Sequence, residues 1–457
     1  MTEDVTKASR EGTHHPAPRP GTSPAVDRVA RTYYTLNGLF TLAASIIWGV
    51  NTLFLLGSGL SIFWVFAVNA TFSAGQIVFE VPTGVIADTV GRRASFLIGI
   101  AALVVSTLGY VASSAFHWGL LGFILFSVLL GFGFTCQTGA VDAWLVDALD
   151  ASGFLGTKDR IFARSGAFTG IAMLVGSLGG GFLGQSSLTL PYLVRTGLLV
   201  IVFVVTFVFM HEIGFTPRPL RLSRFGEESS KVFRAGITYG WRHRVVRPLL
   251  FTSLANGLLL WYLFYAAQPY ALQLLGRGDL VWAAGVVTAV FALSGVAGNF
   301  LVGPLSRSRV GNRPAWVLAA ASGGMAAAAV GIGVVGITPG AGSMVAFVLF
   351  VLFLLAFGLL SGIMTPVRQA FINTYIPSSQ RATVLSFDSL FSDVGAVGGQ
   401  LGLGYAAQAV SKAVAYVIGG AIYFAAAPLY RRAGRASGRP GGLPVTDGAR
   451  QSPANPA

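Results

Sequence analysis

The sequence has few charged residues for its length. Asp, Glu, Lys and Arg make up 11% of 457 positions, whereas soluble domains carry about a quarter. A water-soluble fold of this composition would have too little polar surface to stay dispersed. The shortage of charge therefore excludes an ordinary soluble domain.

Cysteine and histidine are also scarce. The chain has 1 cysteine, Cys136, and 5 histidines, so an intrachain disulfide is impossible and a metal site is not expected. We find no His-Glu-x-x-His motif, no phosphate-binding glycine loop with lysine, and no nucleophile beside a base. The sequence thus predicts neither an enzyme nor a cofactor.

Long apolar stretches occupy most of the chain. Hydrophobic residues make up 54% of the sequence, and the mean hydropathy is +0.69. A helix of about 20 apolar residues spans about 30 Å of hydrocarbon. We therefore predict an all-α polytopic membrane protein with about twelve transmembrane helices, the first at 34–56 and the fourth at 118–146.

The basic residues indicate the orientation of these spans. If both ends of the chain are inside, only Arg195, Arg277 and Lys412 fall at or near outer loops, although the chain has 31 Lys and Arg. Inner loops of membrane proteins carry the excess of positive charge, so we predict that both termini lie inside. The same pattern accounts for the net charge of +14, and we expect no nucleic-acid partner.

The polar segments divide the chain into two halves. We predict a disordered cytoplasmic tail at 1–32, a six-helix bundle at 33–210, a basic cytoplasmic linker at 211–245, a second bundle at 246–430, and a disordered tail at 431–457. A short match between the fourth and tenth spans indicates duplication, so the two bundles are predicted to be pseudo-symmetric.

The loop after the second span contains the sharpest motif. It reads Gly84-Val-Ile-Ala-Asp88-Thr-Val-Gly91-Arg92-Arg93, and it resembles the signature of the major facilitator superfamily. The resemblance implies a carrier of two six-helix bundles that opens alternately to each side. It also implies that Asp88 contacts the start of the eleventh helix and helps to lock the cytoplasmic side.

Other segments resemble drug-efflux members of this superfamily, with departures. In the second half, Gly303 begins a degenerate copy of the loop in which Arg307 replaces the acid. The fourth span lacks the arginine, and the fifth the proline, found in many proton-driven drug antiporters. These departures weaken the assignment to antiport and leave the predicted fold unchanged.

Polar residues recur at helical spacing along several spans. Glu80, Asp142 and Asp393 are candidates for proton coupling, because ionisable groups inside a membrane are costly and usually functional. Asp142 and Arg368 are also candidates for an ion pair between the halves. In the family, helices one, four, seven and ten line the cavity, which gives these candidate residues: Asn37, Thr41, Ser45, Trp48, Thr135, Thr138, Trp261, Tyr265, Gln268, Ser361, Thr365 and Arg368.

The sequence leaves two transport functions open. We expect a monomeric secondary exporter of a hydrophobic or amphipathic small organic molecule, working by alternating access in exchange for protons. It would be a multi-pass protein of the bacterial cytoplasmic membrane, in contact with membrane lipid. The alternative is an uptake carrier, a symporter or uniporter, for a metabolite or sugar.

Overall fold

A computed structural model describes residues 23–216, 240–308, 311–338, 342–377 and 380–437. Most of the predicted linker and of the two tails therefore lies outside the described residues. The regular structure within these ranges is helical. The N-terminal half contains α1 (Pro24–Ser45), α2 (Asn51–Gly57), α3 (Ile62–Thr89), α4 (Arg92–Ala115), α5 (Gly119–Gln137), α6 (Ala140–Ala151), α7 (Asp159–Ser186) and α8 (Leu190–Phe209). The C-terminal half contains α9 (Val246–Leu275), α10 (Val281–Ser306), α11 (Pro314–Ile337), α12 (Met344–Asn373), α13 (Arg381–Ala409), α14 (Lys412–Phe424) and α15 (Ala426–Ser437).

Ten segments of the described chain are long and apolar enough to cross a membrane. They include the pairs α5–α6 and α14–α15, each counted as one segment. Two of the predicted spans are not among them. The first is divided between α1 and α2, and α13 carries Arg381, Asp388 and Asp393 among its apolar residues.

Both ends of the helical region extend beyond the predicted boundaries. α1 begins at Pro24, so residues 24–32 are helical although the sequence placed them in a tail. The Ser23 side chain accepts a hydrogen bond from the amide of Val26, and a proline at the first turn suits a helix start. At the other end, α15 continues through Ser437, which makes 431–437 helical as well.

The fourth predicted span is two helices. α5 ends at Gln137, and α6 begins at Ala140 after Gly139, which adopts φ +79°. Residues other than glycine rarely adopt such a conformation, so the break is built into the backbone. It places Asp142 in the first turn of α6, where the helix dipole favours negative charge.

Short loops make successive spans antiparallel. The start of α1, the loop between α3 and α4, and the end of α15 consequently share one side of the bundle, which we call the terminal side. The opposite side, which holds α2 and the loop between α9 and α10, is called the far side. The two halves meet mainly where α7 packs on α10 and α3 packs on α13.

Glycines allow the halves to come into backbone contact on the far side. A Cβ atom on Gly285 of α10 would lie 2.7 Å from Cα of Gly181 and 2.7 Å from the Ser177 carbonyl oxygen. On Gly49 it would lie 2.8 Å from Cα of Gly285. Such close approach through small residues is typical of packed membrane helices. Gly181 of α7 thus serves contact between the halves, whereas Gly176 and Gly180 contact residues of their own half.

Candidate substrate cavity

A cavity of about 400 Å³ lies between the two halves. Its wall is mainly aromatic and aliphatic. It is formed in the first half by the turn after α1 and by α2, α3, α4, α5, α7 and α8, and in the second half by α9 and α10. The aromatic lining residues are Trp48, Phe72, Tyr110, Phe134, Trp261, Phe264, Tyr265 and Phe291.

A chain of hydrogen bonds fixes the polar part of this wall. The Tyr192 hydroxyl donates to Oδ1 of Asn51 at 2.8 Å, and Nδ2 of Asn51 donates to Oδ1 of Asn69 at 3.1 Å. Asn69 is 3% exposed, and its Nδ2 has no hydrogen-bond partner among the described residues. This series of hydrogen bonds therefore ends at Nδ2 of Asn69, a donor without an acceptor beside the cavity among the described residues.

Arg195 is the one charged residue that lines the cavity within the described chain. The sequence placed it at or near an outer loop, but it lies inside α8 and is only 2% exposed. Its helix begins at Leu190, and the side chain turns into the protein among tyrosines. Nε and Nη2 of Arg195 have no hydrogen-bond partner in the described structure.

Gln268 closes the cavity on the far side. It is fully buried, its Oε1 accepts from the amide of Thr52 at 2.9 Å, and its Nε2 donates to the Trp48 carbonyl at 2.6 Å. The Thr52 hydroxyl donates to the Tyr265 carbonyl at 2.9 Å. These bonds join the turn between α1 and α2 to α9, so they tie one half to the other.

The remaining hydrogen bonds between the halves also lie toward the far side. Gln185 donates to the Asp279 carbonyl at 2.7 Å, and Gln400 donates to the Ser73 hydroxyl at 3.1 Å. Within the described residues, the halves share no such bond on the terminal side. The structure is therefore a conformation that is closed on the far side.

A second cavity, of about 260 Å³, lies inside the C-terminal half. Here Nη1 and Nη2 of Arg368 donate to the two carboxylate oxygens of Asp388 at 2.8 and 2.6 Å. The Ser253 hydroxyl donates to Asp388 at 2.6 Å and also contacts Arg368. Thr365 lines the same cavity.

The suggested ion pair between Arg368 and Asp142 is wrong for this conformation. Asp388 on α13 lies nearer than the opposite half and takes the guanidinium in bidentate geometry, which is the strong form of this interaction. Asp142 instead accepts a hydrogen bond of 2.6 Å from the Tyr33 hydroxyl. Each of these polar pairs is contained in one half.

The other two candidate proton carriers lie on opposite halves, within range of each other's charge. Glu80 on α3 is exposed, and Asp393 on α13 is half-buried. The two carboxylates are close enough for their like charges to interact. Asp142, which is exposed at the start of α6, stands apart from them with Tyr33. The structure thus brings Glu80 and Asp393 together and leaves Asp142 separate.

The loop motif contacts its own half in this conformation. Asp88 pairs with Arg92 at 2.6 Å, and Arg92 lies 3.7 Å from Asp147. The expected partner of Asp88 was the start of the eleventh predicted span, which is α13 in the structure. The ion pair of Asp88 in this conformation is with Arg92. Because the halves are separated on this side, Arg92 is the nearer group. Around Gly84 a Cβ atom would meet open space.

Glu212 holds the other end of the loop. Its Oε1 accepts a hydrogen bond from the amide of Arg93 at 2.6 Å, and a Cβ atom on Gly91 would lie 2.5 Å from the same oxygen. Burial raises the pKa of Glu212, although the Arg93 amide and the charges of Arg92 and Arg93 act against this shift. The loop is therefore fastened to the segment that follows α8.

Three of the predicted cavity residues line the main cavity: Trp48, Trp261 and Tyr265. Most of the others are engaged in packing between or within helices. The Asn37 amide donates to Ser165 at 3.3 Å, and the Ser45 hydroxyl donates to the Ala172 carbonyl at 3.3 Å. The hydroxyls of three further residues donate to carbonyls of their own helices: Thr135, Thr138 and Thr365 (the last to Ser361). Thr41 is half-buried on α1.

Sequence reasoning missed Arg195 and Asp388 as site residues. For Arg195 the signal was an arginine on a stretch rich in apolar residues, which was discounted because it is near a span end. Asp388 could have been found by extending the search for acids to the start of the eleventh span. Asn69 and Gln76 of the second span also line the cavity, although the predicted lining came from helices one, four, seven and ten.

The fold and this cavity define a polytopic membrane carrier. The family model of the Major Facilitator Superfamily matches residues 33–349, and the chain belongs to this superfamily. It is therefore a transporter for small molecules and not an enzyme.

Two curated relatives cover most of the chain. The tetracycline resistance protein, class G, of Vibrio anguillarum is 26% identical over 388 residues, which are 80% of this chain and 87% of the relative. The class C protein of Escherichia coli is 28% identical over 377 residues, which are 79% of this chain and 85% of the relative.

Solved structures agree on the fold. The nucleoside transporter NupG superposes with a TM-score of 0.72 at 11% identity, covering 89% of this chain and 98% of NupG. An auto-inhibited peptide transporter of the POT family gives 0.71 at 14% identity, covering 89% of this chain and 97% of the other. At these identities the likeness concerns the fold alone.

Proposed function

We propose that the protein exports a hydrophobic or amphipathic small organic molecule across the bacterial cytoplasmic membrane, by alternating access and in exchange for protons. The observation that carries the proposal is the aromatic cavity between the halves, which is closed on the far side by Gln268. A cavity of this size accommodates a drug-sized ligand, since such sites measure about 300–1,000 Å³.

The relatives support a drug-like substrate. Two tetracycline resistance proteins align with about four-fifths of the chain, so tetracycline is the first compound to test. In this proposal the chain is a monomer with twelve crossings, both termini in the cytoplasm, and membrane lipid around it. The terminal side is then the cytoplasmic side, and the described conformation is ready to take substrate from the cell.

Proton coupling rests on Glu80 and Asp393. Two carboxylates that approach each other from opposite halves repel when both are ionised, and binding a proton removes the repulsion. Opening and closing the terminal side changes their separation, so protonation and conformation are coupled. Asp142 is the independent candidate, since a proton on it would alter the bond with Tyr33.

The loop from Gly84 to Arg93 is the proposed gate of the terminal side. In the described conformation Asp88 is engaged by Arg92, and Arg93 is held through Glu212. Closing this side would bring α13 toward the loop and offer Asp88 a new partner at the helix N-terminus. Gly91, Arg92 and Arg93 then keep the loop attached to its own half.

The test is tetracycline transport in inverted membrane vesicles that are acid inside. Addition of tetracycline should release protons from the lumen, followed with a fluorescent pH indicator, while the drug accumulates. Glu80→Gln, Asp393→Asn and Asp142→Asn should reduce proton release, and Asp88→Asn should slow uptake without loss of membrane insertion. Asp279→Asn is the matched control, because Asp279 is exposed and pairs with Arg277 in a loop.

Three outcomes would contradict the proposal or part of it. Transport that persists in all three coupling variants would refute proton exchange through these carboxylates. Uptake of the drug by right-side-out vesicles, with protons entering beside it, would assign the protein to the alternative, an uptake carrier. Failure to move tetracycline or any of a panel of amphipathic drugs in either direction would refute the proposed substrate class.

A further inference from the structure

We propose that Arg195 and Asn69 form an anion-binding subsite at the far end of the main cavity, so that the transported molecule is an amphipathic organic anion. The anionic group would be a carboxylate or a similar charged oxygen group. The inference rests on the proposed function in one respect, namely that this cavity holds the substrate.

The guanidinium of Arg195 lacks a partner among the described residues. An arginine side chain stays protonated in proteins, and an ion buried without a partner is costly. Arg195 is 2% exposed, Nε and Nη2 have no partner in the described chain, and no described acid pairs with it. A ligand that brings a negative oxygen would supply the missing partner.

The polar part of the cavity wall offers hydrogen-bond donors. The Asn51 side-chain oxygen is occupied by the Tyr192 hydroxyl, and the Asn69 oxygen is occupied by the Asn51 amide. This relay fixes the orientation of both amides, and it leaves Nδ2 of Asn69 without an acceptor. Two unused donors, one of them charged, therefore line one cavity.

The rest of the cavity wall is mainly apolar and carries no negative charge among the described residues. Within the described residues, neither Asp nor Glu lines this cavity, and Arg195 is its sole charge. A cationic ligand would meet repulsion without compensation, and a neutral one would leave the arginine unpaired. The aromatic surface of Trp48, Trp261 and Phe264 suits a flat apolar body. An aromatic carboxylate satisfies both parts of the wall.

The test compares two probes of matched shape. Binding of 1-naphthoate and of 1-naphthamide to the purified full chain in detergent is measured by titration calorimetry. Because a hydrogen bond to a charged group in a buried site is strong, we expect the anion to bind about 10-fold tighter or more. Arg195→Gln should abolish this preference, and Asn69→Leu should reduce it.

Two further variants guard against a folding defect. Arg195→Lys keeps the charge and should keep part of the preference for the anion. Arg247→Gln removes an exposed arginine outside the cavity and should bind like the wild type. Each protein is checked by size-exclusion chromatography before titration.

Equal affinity for the two probes, no binding of 1-naphthoate, or a preference that survives Arg195→Gln would each overturn the subsite. The titration needs neither a proton gradient nor a direction of transport. Anion-selective binding without proton exchange in vesicles would thus refute the coupling and keep the subsite. Proton-coupled transport of tetracycline without anion selectivity would do the reverse.

Discussion

Arg195 and Arg368 both line cavities, and their surroundings differ. Arg368 lies within one half, is held by both oxygens of Asp388, and also contacts Ser253. Arg195 lies at the interface between the halves and has no such partner in the described structure. The first is a completed structural pair. The second is a charge kept beside a cavity whose walls separate when the halves move.

The largest expected effect is on the completed pair. Asp388→Asn leaves the Arg368 guanidinium buried without a counter-ion, and breaking a buried pair in this way costs about 3–5 kcal/mol. We expect a clear fall in Tm, measured in detergent by thermal unfolding. The double variant Asp388→Asn with Arg368→Gln should recover part of the loss. A Tm equal to that of the wild type would mean that the pair contributes little.

The next largest effect concerns the cavity between the halves and leaves the cavity inside the C-terminal half unchanged. Gly285→Val places a branched side chain against Gly181 and Ser177, so the far side cannot close as described. We expect most of the transport activity to be lost, with insertion and the stability given by the Arg368 pair retained. Gly303→Val on the same helix is the control, because a Cβ atom there meets open space. Equal activity of the two variants would contradict the closure.

The smallest effect should have the opposite sign. Arg195→Met removes an unpaired buried charge, so without ligand the free energy of unfolding should rise by about 1 kcal/mol. The measurement is again thermal unfolding in detergent, compared with Asp388→Asn under the same conditions. Destabilisation by Arg195→Met as large as that of Asp388→Asn would show that the two arginines play the same structural role.

The helices and the loop motif were accessible to sequence reasoning. Long apolar runs such as α12 predict a spanning helix because a membrane requires every backbone group to be bonded within the segment. The loop from Gly84 to Arg93 fixed the superfamily, and the family model agrees. Of the predicted lining residues, Trp48, Trp261 and Tyr265 lie in the cavity wall, whereas Asn69 and Gln76 were not predicted to line it.

The sequence could not supply the pairing of side chains between helices. The break at Gly139 is hidden because a single glycine inside a long span does not by itself mark the end of a helix. Arg368 on α12 selects Asp388 on α13 because both helices pack on α9, which is a property of helix packing and not of spacing along one helix. Arg195 was misjudged for a related reason, since nearness to a span end does not reveal which way a side chain turns.

The closure by Gln268 has a consequence for how the protein can vary. Its two partners are main-chain atoms, the amide of Thr52 and the carbonyl of Trp48. Because both hydrogen bonds go to main-chain atoms, they can persist when the neighbouring side chains are exchanged. Mutations at Trp48 can therefore change the shape of the cavity wall while Gln268 still closes the far side. Variants of this chain can then bind new substrates and keep the hydrogen bonds that close the cavity.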